Sequence, residues 1–93
     1  MLSGKERRQL RAQANQLKAS VMIGKDGITP KVKNFINEAF NNKFLVKVKV
    51  LNSCEDNRKQ IAEKLKQLKE TEVIQLLGRT ILLYRPLKED KTT

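Results

Sequence analysis

The sequence has no histidine and a single cysteine, Cys54, and these shortages exclude much of enzyme chemistry. One cysteine cannot form an intrachain disulfide or a cysteine cluster for zinc, and histidine is the commonest metal ligand and acid–base residue. The carboxylates fall at predicted helix starts, in i,i+4 pairs such as Glu55 with Lys59, or near the C-terminus, so no nucleophile has a base to activate it. We therefore expect no enzyme activity, metal, cofactor or small-molecule substrate.

Long apolar runs are also missing. No run approaches the roughly 20 residues that a membrane span needs. The stretch Met1-Leu2-Ser3-Gly4-Lys5 leads into a charged segment instead of the apolar core of a signal peptide. We expect a cytoplasmic protein that has no membrane partner.

The apolar content is nevertheless sufficient for a folded domain. Leu, Ile, Val and Phe make up 27 of the 93 residues, well above the level of about 20% below which chains tend to remain disordered. A length of 93 residues suits one core and not two. We expect one domain over residues 1–86 and, after Pro86, a flexible charged tail over residues 87–93.

Acidic residues are scarce relative to basic ones. Twenty Lys and Arg against ten Asp and Glu give a net charge of +10. Residues 1–49 hold eleven basic and three acidic side chains (+8), whereas residues 50–93 hold nine and seven (+2). Such an excess implies a polyanionic partner, and its distribution places the contact surface in the first half of the chain.

Apolar periodicity predicts an α/β domain of order α-β-α-β-α-β-β. We expect a four-stranded mixed sheet packed with three helices, because strands joined through helices are usually parallel and a two-residue turn requires antiparallel pairing. Periodicity also places the aromatic side chains Phe35, Phe40, Phe44 and Tyr84 in the core. The predicted elements are a helix over 3–18, a strand over 20–23, a helix capped by Thr29 with Pro30 at its first position, a strand over 44–51, a helix capped by Ser53, and strands over 73–77 and 80–84 joined by Gly78-Arg79.

A short glycine loop, Gly24-Lys25-Asp26-Gly27, lies between a predicted strand and a predicted helix. Glycines let a backbone approach a ligand closely, and a helix N-terminus offers N–H donors to phosphate oxygens. Asp26 places an acid in this loop, where it either weakens phosphate attraction or stabilises the turn through its side chain. A G-x-x-G segment can equally be an ordinary turn, and it is neither a Walker loop nor a dinucleotide-binding motif.

A second candidate feature is a cationic strip on the first predicted helix. Arg7, Arg8, Arg11 and Lys18 fall within about 100° of one another on a helical wheel, and Lys31 and Lys33 follow the glycine loop. A solvated helix face is the alternative, but such a face normally mixes charges, and Glu6 is the only acid from Lys5 to Lys25. For Lys47 and Lys49, on the polar face of a predicted strand, solubilisation and RNA contact are equally good interpretations.

Four stretches together resemble the CRM domain family (chloroplast RNA splicing and ribosome maturation), specifically its free-standing bacterial YhbY-like members. They span residues 2–86, and their order and spacing make the resemblance specific. The stretches are Lys5-Glu6-Arg7-Arg8-Gln9-Leu10-Arg11 with Leu17-Lys18, Ile23-Gly24-Lys25-Asp26-Gly27-Ile28-Thr29, Val46-Lys47-Val48-Lys49-Val50-Leu51, and Gly78-Arg79-Thr80-Ile81-Leu82-Leu83-Tyr84-Arg85.

The resemblance implies a fold similar to the C-terminal domain of bacterial translation initiation factor three. It also implies RNA binding through the G-x-x-G loop and a neighbouring basic surface, as in KH domains, with ribosomal RNA in precursors of the large subunit as partner. The basic surface then maps to Arg7, Arg8, Arg11 and Lys18, and extends to Arg79 and Arg85. We add Lys31 to the expected RNA contacts, because it follows the loop in the same basic region. We expect a monomer. The rival hypotheses are a DNA-binding protein, for which no helix-turn-helix is visible, and a basic adaptor that docks an acidic protein.

Overall fold

The predicted order of elements is confirmed in a computed structural model, which describes residues 3–41 and 43–86. The predicted tail over 87–93 lies outside the described residues. The elements are α1 (Gly4–Ala14), β1 (Val21–Ile23), α2 (Pro30–Ala39), β2 (Leu45–Val50), α3 (Arg58–Lys66), β3 (Glu72–Leu77) and β4 (Thr80–Tyr84).

The strands form one mixed sheet in the order β1-β2-β4-β3. β1 pairs with β2 in parallel, and β4 pairs antiparallel with both β2 and β3. β1, β2 and β3 therefore finish at the same end of the sheet, where β4 begins, and we call this the loop end. The glycine loop follows β1 at this end.

The two faces of the sheet are covered unequally. On one face α2 and α3 contribute Ile36, Phe40, Ile61 and Leu65 to the main core, against the valines of β2 and the alternate residues of the other strands. On the other face α1 contributes Leu10 and Ala14, which pack on Leu45, Ile74 and Leu82. α1 covers only part of that face. One row of residues, in register across all four strands, lies outside this second cluster: Met22, Lys49, Thr80 and Leu77.

The first helix is shorter than the sequence predicts. It ends at Ala14, with Asn15 as C-cap, so Leu17 and Lys18 are not helical. The Lys47 ammonium donates to the carbonyl oxygens of Ala14 and Leu17, at 3.0 and 3.1 Å. Carbonyls at a helix end need such partners, so Lys47 helps to end α1, a role that the sequence does not reveal.

The third helix begins later than predicted. Its N-cap is Asn57 and not Ser53, because Asn57 and Gln60 form a reciprocal capping box: the Gln60 N–H donates to Asn57 Oδ1 at 2.8 Å and the Asn57 N–H to Gln60 Oε1 at 2.9 Å. Residues 51–56 are thereby left as a connection at the loop end of the sheet.

The prediction of aromatic burial is correct for Phe40 and wrong for Phe35. Phe40 is buried, and Phe44 and Tyr84 are partly buried, with their rings edge to face at 6.3 Å between centroids. Phe35 is 46% exposed. The core face of α2 is centred on Ile36 and Phe40, and a residue 100° away from Ile36 around the helix falls on its border.

Candidate nucleic-acid interface

The glycine loop is a tight β-turn closed by its own backbone. The Gly27 N–H donates to the Gly24 carbonyl oxygen at 3.0 Å, and Lys25 and Asp26 are exposed at the tip. Gly27 is buried and has φ +68°, whereas Lys25 and Asp26 do not have positive φ. A positive φ favours glycine, so the second glycine is required by the turn itself, and its N–H is already used within the loop.

The loop lies against the connection between β2 and α3. A Cβ atom at Gly27 would lie 3.2 Å from Asp56 Oδ2, and one at Gly24 would lie 3.7 Å from Ser53 Oγ. Asp56 forms an ion pair with Lys64 at 2.7 Å. This pairing compensates the negative charge of Asp56 beside a loop that is expected to meet phosphate.

The N-terminus of α2 is capped as predicted, which leaves few of its N–H groups free. Thr29 Oγ1 accepts the Val32 N–H at 3.1 Å, as its predicted capping role requires, and Pro30 has no N–H. The side chains of Lys25 and Lys31, both exposed, thus provide more for an anion than the helix N-terminus does. The Lys31 ammonium lies 5.9 Å from the centroid of the Phe35 ring.

The predicted cationic strip is divided by the structure. Arg8 is exposed and Arg11 is half-buried on α1, and Lys18 is exposed in the connection from α1 to β1. Arg7, by contrast, contacts β3: its guanidinium donates to the Val73 carbonyl and to the Glu72 carboxylate, each at 3.4 Å.

Arg7 and the glycine loop are not neighbours. Glu72 and Val73 begin β3, which is an outer strand, and the loop follows the far end of β1, the outer strand on the other side. From strand spacing and rise, this diagonal of the sheet measures roughly 20 Å. The expectation that this arginine lies beside the loop is therefore wrong, because α1 places it over the opposite edge.

The two arginines near the end of the chain occupy different surroundings. Arg79, in the turn between β3 and β4, is exposed and lines a groove at the loop end with Asp56 and Arg58. Arg85 lies beyond the opposite end of β4, where its guanidinium donates to Thr71 Oγ1 and Asn37 Oδ1. Its Cζ atom lies 4.5 Å from the centroid of the Phe40 ring. Arg85 therefore connects α2 to the segment before β3.

Among the residues that the structure describes, most basic side chains have no acidic partner. Within residues 3–41 and 43–86, ion pairs engage Arg7, Lys64 and Lys66. None involves Arg8, Arg11, Lys18, Lys25 or Lys31, so their charge is available to a polyanion. The same described residues contain no group of His, Cys, Asp and Glu suited to a metal ion, and none of their helices is long and apolar enough to cross a membrane.

These features define a small α/β domain whose described residues present basic side chains without acidic partners on the first helix and, separately, at a glycine turn. Residues 2–85 match the family model described as the CRS1 / YhbY (CRM) domain. The chain belongs to this family, and the resemblance noted in the sequence is confirmed.

Relatives of nearly the same length support this assignment. The chain is 37% identical over 91 residues to "Probable RNA-binding protein YqeI" of Bacillus subtilis, covering 98% of this chain and 95% of that one. It is 32% identical over 90 residues to a Haemophilus influenzae protein named "RNA-binding protein", covering 97% and 91%. The solution structure of SAV1595 from Staphylococcus aureus superimposes with a TM-score of 0.79 at 37% identity, covering 98% and 95%. The predicted fold is thus confirmed by a solved structure.

Proposed function

We propose that this protein is a non-enzymatic RNA-binding protein that binds structured ribosomal RNA and assists assembly of the large ribosomal subunit. The basic side chains without acidic partners on α1 and around the glycine loop carry this proposal. Relatives covering almost the whole chain are named for RNA binding. The ribosomal target comes from the family resemblance.

The contacts follow from the placement of the cations. Lys25 at the tip of the loop and Lys31 on the first turn of α2 bind phosphates that approach the turn, with Arg79 at the same end of the sheet. Arg8, Arg11 and Lys18 bind backbone that passes along α1. Contacts to phosphate position an RNA without reading its sequence, so recognition depends mainly on RNA shape.

The same placement revises the predicted site. Arg7 and Arg85 contribute indirectly, because their guanidinium groups are engaged with protein atoms. Arg7 holds α1 against β3, and Arg85 holds α2 in position. Loss of either side chain affects RNA binding through the fold.

Binding to an RNA hairpin at several salt concentrations tests the proposal. Neutralised phosphates release counterions, so log K falls with log salt by somewhat less than one unit per contact. We expect Arg8→Ala, Arg11→Ala and Lys25→Ala together to reduce that slope by about two to three units.

A matched control is available on and just after α3. Replacing Lys59, Lys66 and Lys69 by alanine also lowers the net charge from +10 to +7, and these side chains are exposed on another part of the surface. We expect the control variant to retain most of the wild-type slope. Equal losses in the two variants would show that only net charge matters, and wild-type binding by the first variant would exclude this interface.

The ribosomal role has a separate test. We expect the protein to sediment with large-subunit precursors in a cell lysate and to be released when RNA is digested by nuclease. Sedimentation that survives digestion would favour docking on an acidic protein instead. Stronger binding to duplex DNA than to ribosomal RNA fragments at equal salt would favour a DNA-binding protein.

A further inference from the structure

Phe35 is an exposed aromatic side chain close to the proposed phosphate contacts. It lies on α2, 46% exposed, about one helical turn from Lys31. The Lys31 ammonium is 5.9 Å from the centroid of its ring, within the range of a cation–π contact. Lys31 itself follows the glycine loop by four residues.

The other aromatic rings are engaged in the fold. Phe40 is buried beneath Arg85, and Phe44 and Tyr84 contact each other over the α1 cluster. The side chain of Phe35 is outside both core clusters of the described residues, so the packing of α2 does not require an aromatic ring at this position. An exposed aromatic ring that lies outside the core clusters and beside Lys31 suits a ligand that has both a flat ring and a negative charge.

We propose that Phe35 is a stacking platform for an unpaired RNA base, while Lys31 binds the phosphate of a neighbouring nucleotide. This proposal rests on the proposed RNA-binding function and adds to it the class of RNA: a structured RNA that presents a single-stranded nucleotide next to the glycine loop. Bases stack on aromatic side chains regardless of sequence, and such stacking is confined to unpaired nucleotides.

The absence of tryptophan provides a direct probe. The chain contains no Trp, so Phe35→Trp introduces a single indole whose fluorescence reports on stacking. We expect oligoadenylate of about ten nucleotides to quench this fluorescence, with the same midpoint as binding measured by anisotropy of labelled RNA. Gln75→Trp is the control, because Gln75 is uncharged and lies on β3, the outer strand on the far side of the sheet from the glycine loop, and its indole should keep its fluorescence.

Affinity measurements complete the test. Phe35→Ala should weaken binding of oligoadenylate by about 5- to 150-fold and leave the salt slope unchanged, since stacking releases no phosphate counterions. Phe35→Tyr should restore binding, and affinity for a blunt RNA duplex should be the same in wild type and both variants.

Each result distinguishes this proposal from the one on which it rests. Unquenched indole fluorescence in the Phe35→Trp variant, or wild-type affinity of Phe35→Ala for oligoadenylate, would overturn the platform while RNA binding through Lys25 and Arg8 stands. An equal loss of duplex binding in Phe35→Ala would also overturn it, because it would indicate a general effect on the domain. A wild-type protein that binds neither probe would overturn both proposals.

Discussion

Substitution of Gly24 and of Gly27 should have different effects on stability, although both are defining positions of the G-x-x-G motif. Gly27 has φ +68°, and a Cβ atom there would lie 3.2 Å from Asp56 Oδ2, which Lys64 holds at 2.7 Å. Gly24 has no positive φ, and its added Cβ would meet its neighbours at ordinary contact distances of 3.7 and 3.8 Å. The structure therefore requires glycine only at the second position.

The magnitude follows from the backbone conformation. The left-handed region costs a non-glycine residue roughly 1–2 kcal/mol, and the contact with Asp56 adds to this because that carboxylate is held by its ion pair. Gly27→Ala should thus lower the free energy of unfolding by about 2 kcal/mol, or the melting temperature by about 8–16 °C in a domain of this size. Gly24→Ala should change the free energy by no more than about 0.5 kcal/mol.

Gly78 is the internal control. It has φ +60°, but a Cβ atom there would have nothing within 4 Å. Gly78→Ala should therefore show the conformational penalty alone, and urea denaturation followed by circular dichroism would give all three values. Equal stability losses for Gly24→Ala and Gly27→Ala would refute the reasoning, as would a Gly27→Ala protein as stable as wild type. Because Gly24→Ala leaves the fold intact, any loss of RNA affinity in that variant reports on close approach of the ligand.

Three further predictions concern side chains with assigned partners. Lys47→Ala should lower the free energy of unfolding by about 1 kcal/mol, because the Leu17 carbonyl loses the Lys47 ammonium and the Ala14 carbonyl keeps only the Leu17 N–H as its donor. Lys49→Ala, at an exposed position, should be near neutral. Similar urea midpoints for the two variants would contradict this. Arg85→Ala should lower the free energy of unfolding by about 2 kcal/mol, because the variant loses the hydrogen bonds to Thr71 and Asn37 and the contact with Phe40. Arg79→Ala should leave the free energy of unfolding unchanged. A lower melting temperature for Arg79→Ala than for Arg85→Ala would refute these roles. The pKa of Glu6 is lowered from its ordinary value of 4.5, first by the hydrogen bond from the Ser3 backbone N–H and next by the Ser3 side chain. The ionised carboxylate therefore stabilises α1 above pH 4.5, and this stabilisation is lost as the pH falls through the folded pKa. A carboxyl titration by NMR that gives 4.5 or higher would contradict the capping box.

The order of the elements and the β3–β4 hairpin could be predicted from sequence, because both depend on local signals. Alternating valines mark β2, Thr29 and Pro30 mark the start of α2, and Gly78-Arg79 marks the turn of the hairpin. Each signal involves neighbouring residues, whose spacing specifies one backbone conformation.

The errors concern contacts between residues far apart in the chain and the choice between competing caps. α1 ends early where Lys47, a residue of β2, donates to its last carbonyl, and Arg7 contacts Glu72 instead of a ligand. Ser53 suits an N-cap by residue type, but the Asn57–Gln60 box is the cap that forms. The contacts of Lys47 and Arg7 cannot be derived from periodicity, because they join segments far apart in the chain. The Asn57–Gln60 box is a local signal, and it competes with Ser53 for the start of the same helix.

The candidate site was predictable in its residue types but not in its arrangement. Charge imbalance pointed to Arg8, Arg11 and Lys25, which the structure leaves without acidic partners among the described residues. The family resemblance extended the site to Arg85, because sequence cannot distinguish a free guanidinium from one that holds two elements together. Phe35 was missed because it lies one position from the centre of an apolar stripe.

Amide chemical shifts of the intact protein, recorded by NMR during titration with an RNA hairpin that carries a single-stranded loop, test the central claim most directly. We expect the largest changes on residues 24–35 and on the exposed side of α1, with small changes along α3. Changes concentrated on α3, or spread evenly over the basic residues, would contradict the proposed interface.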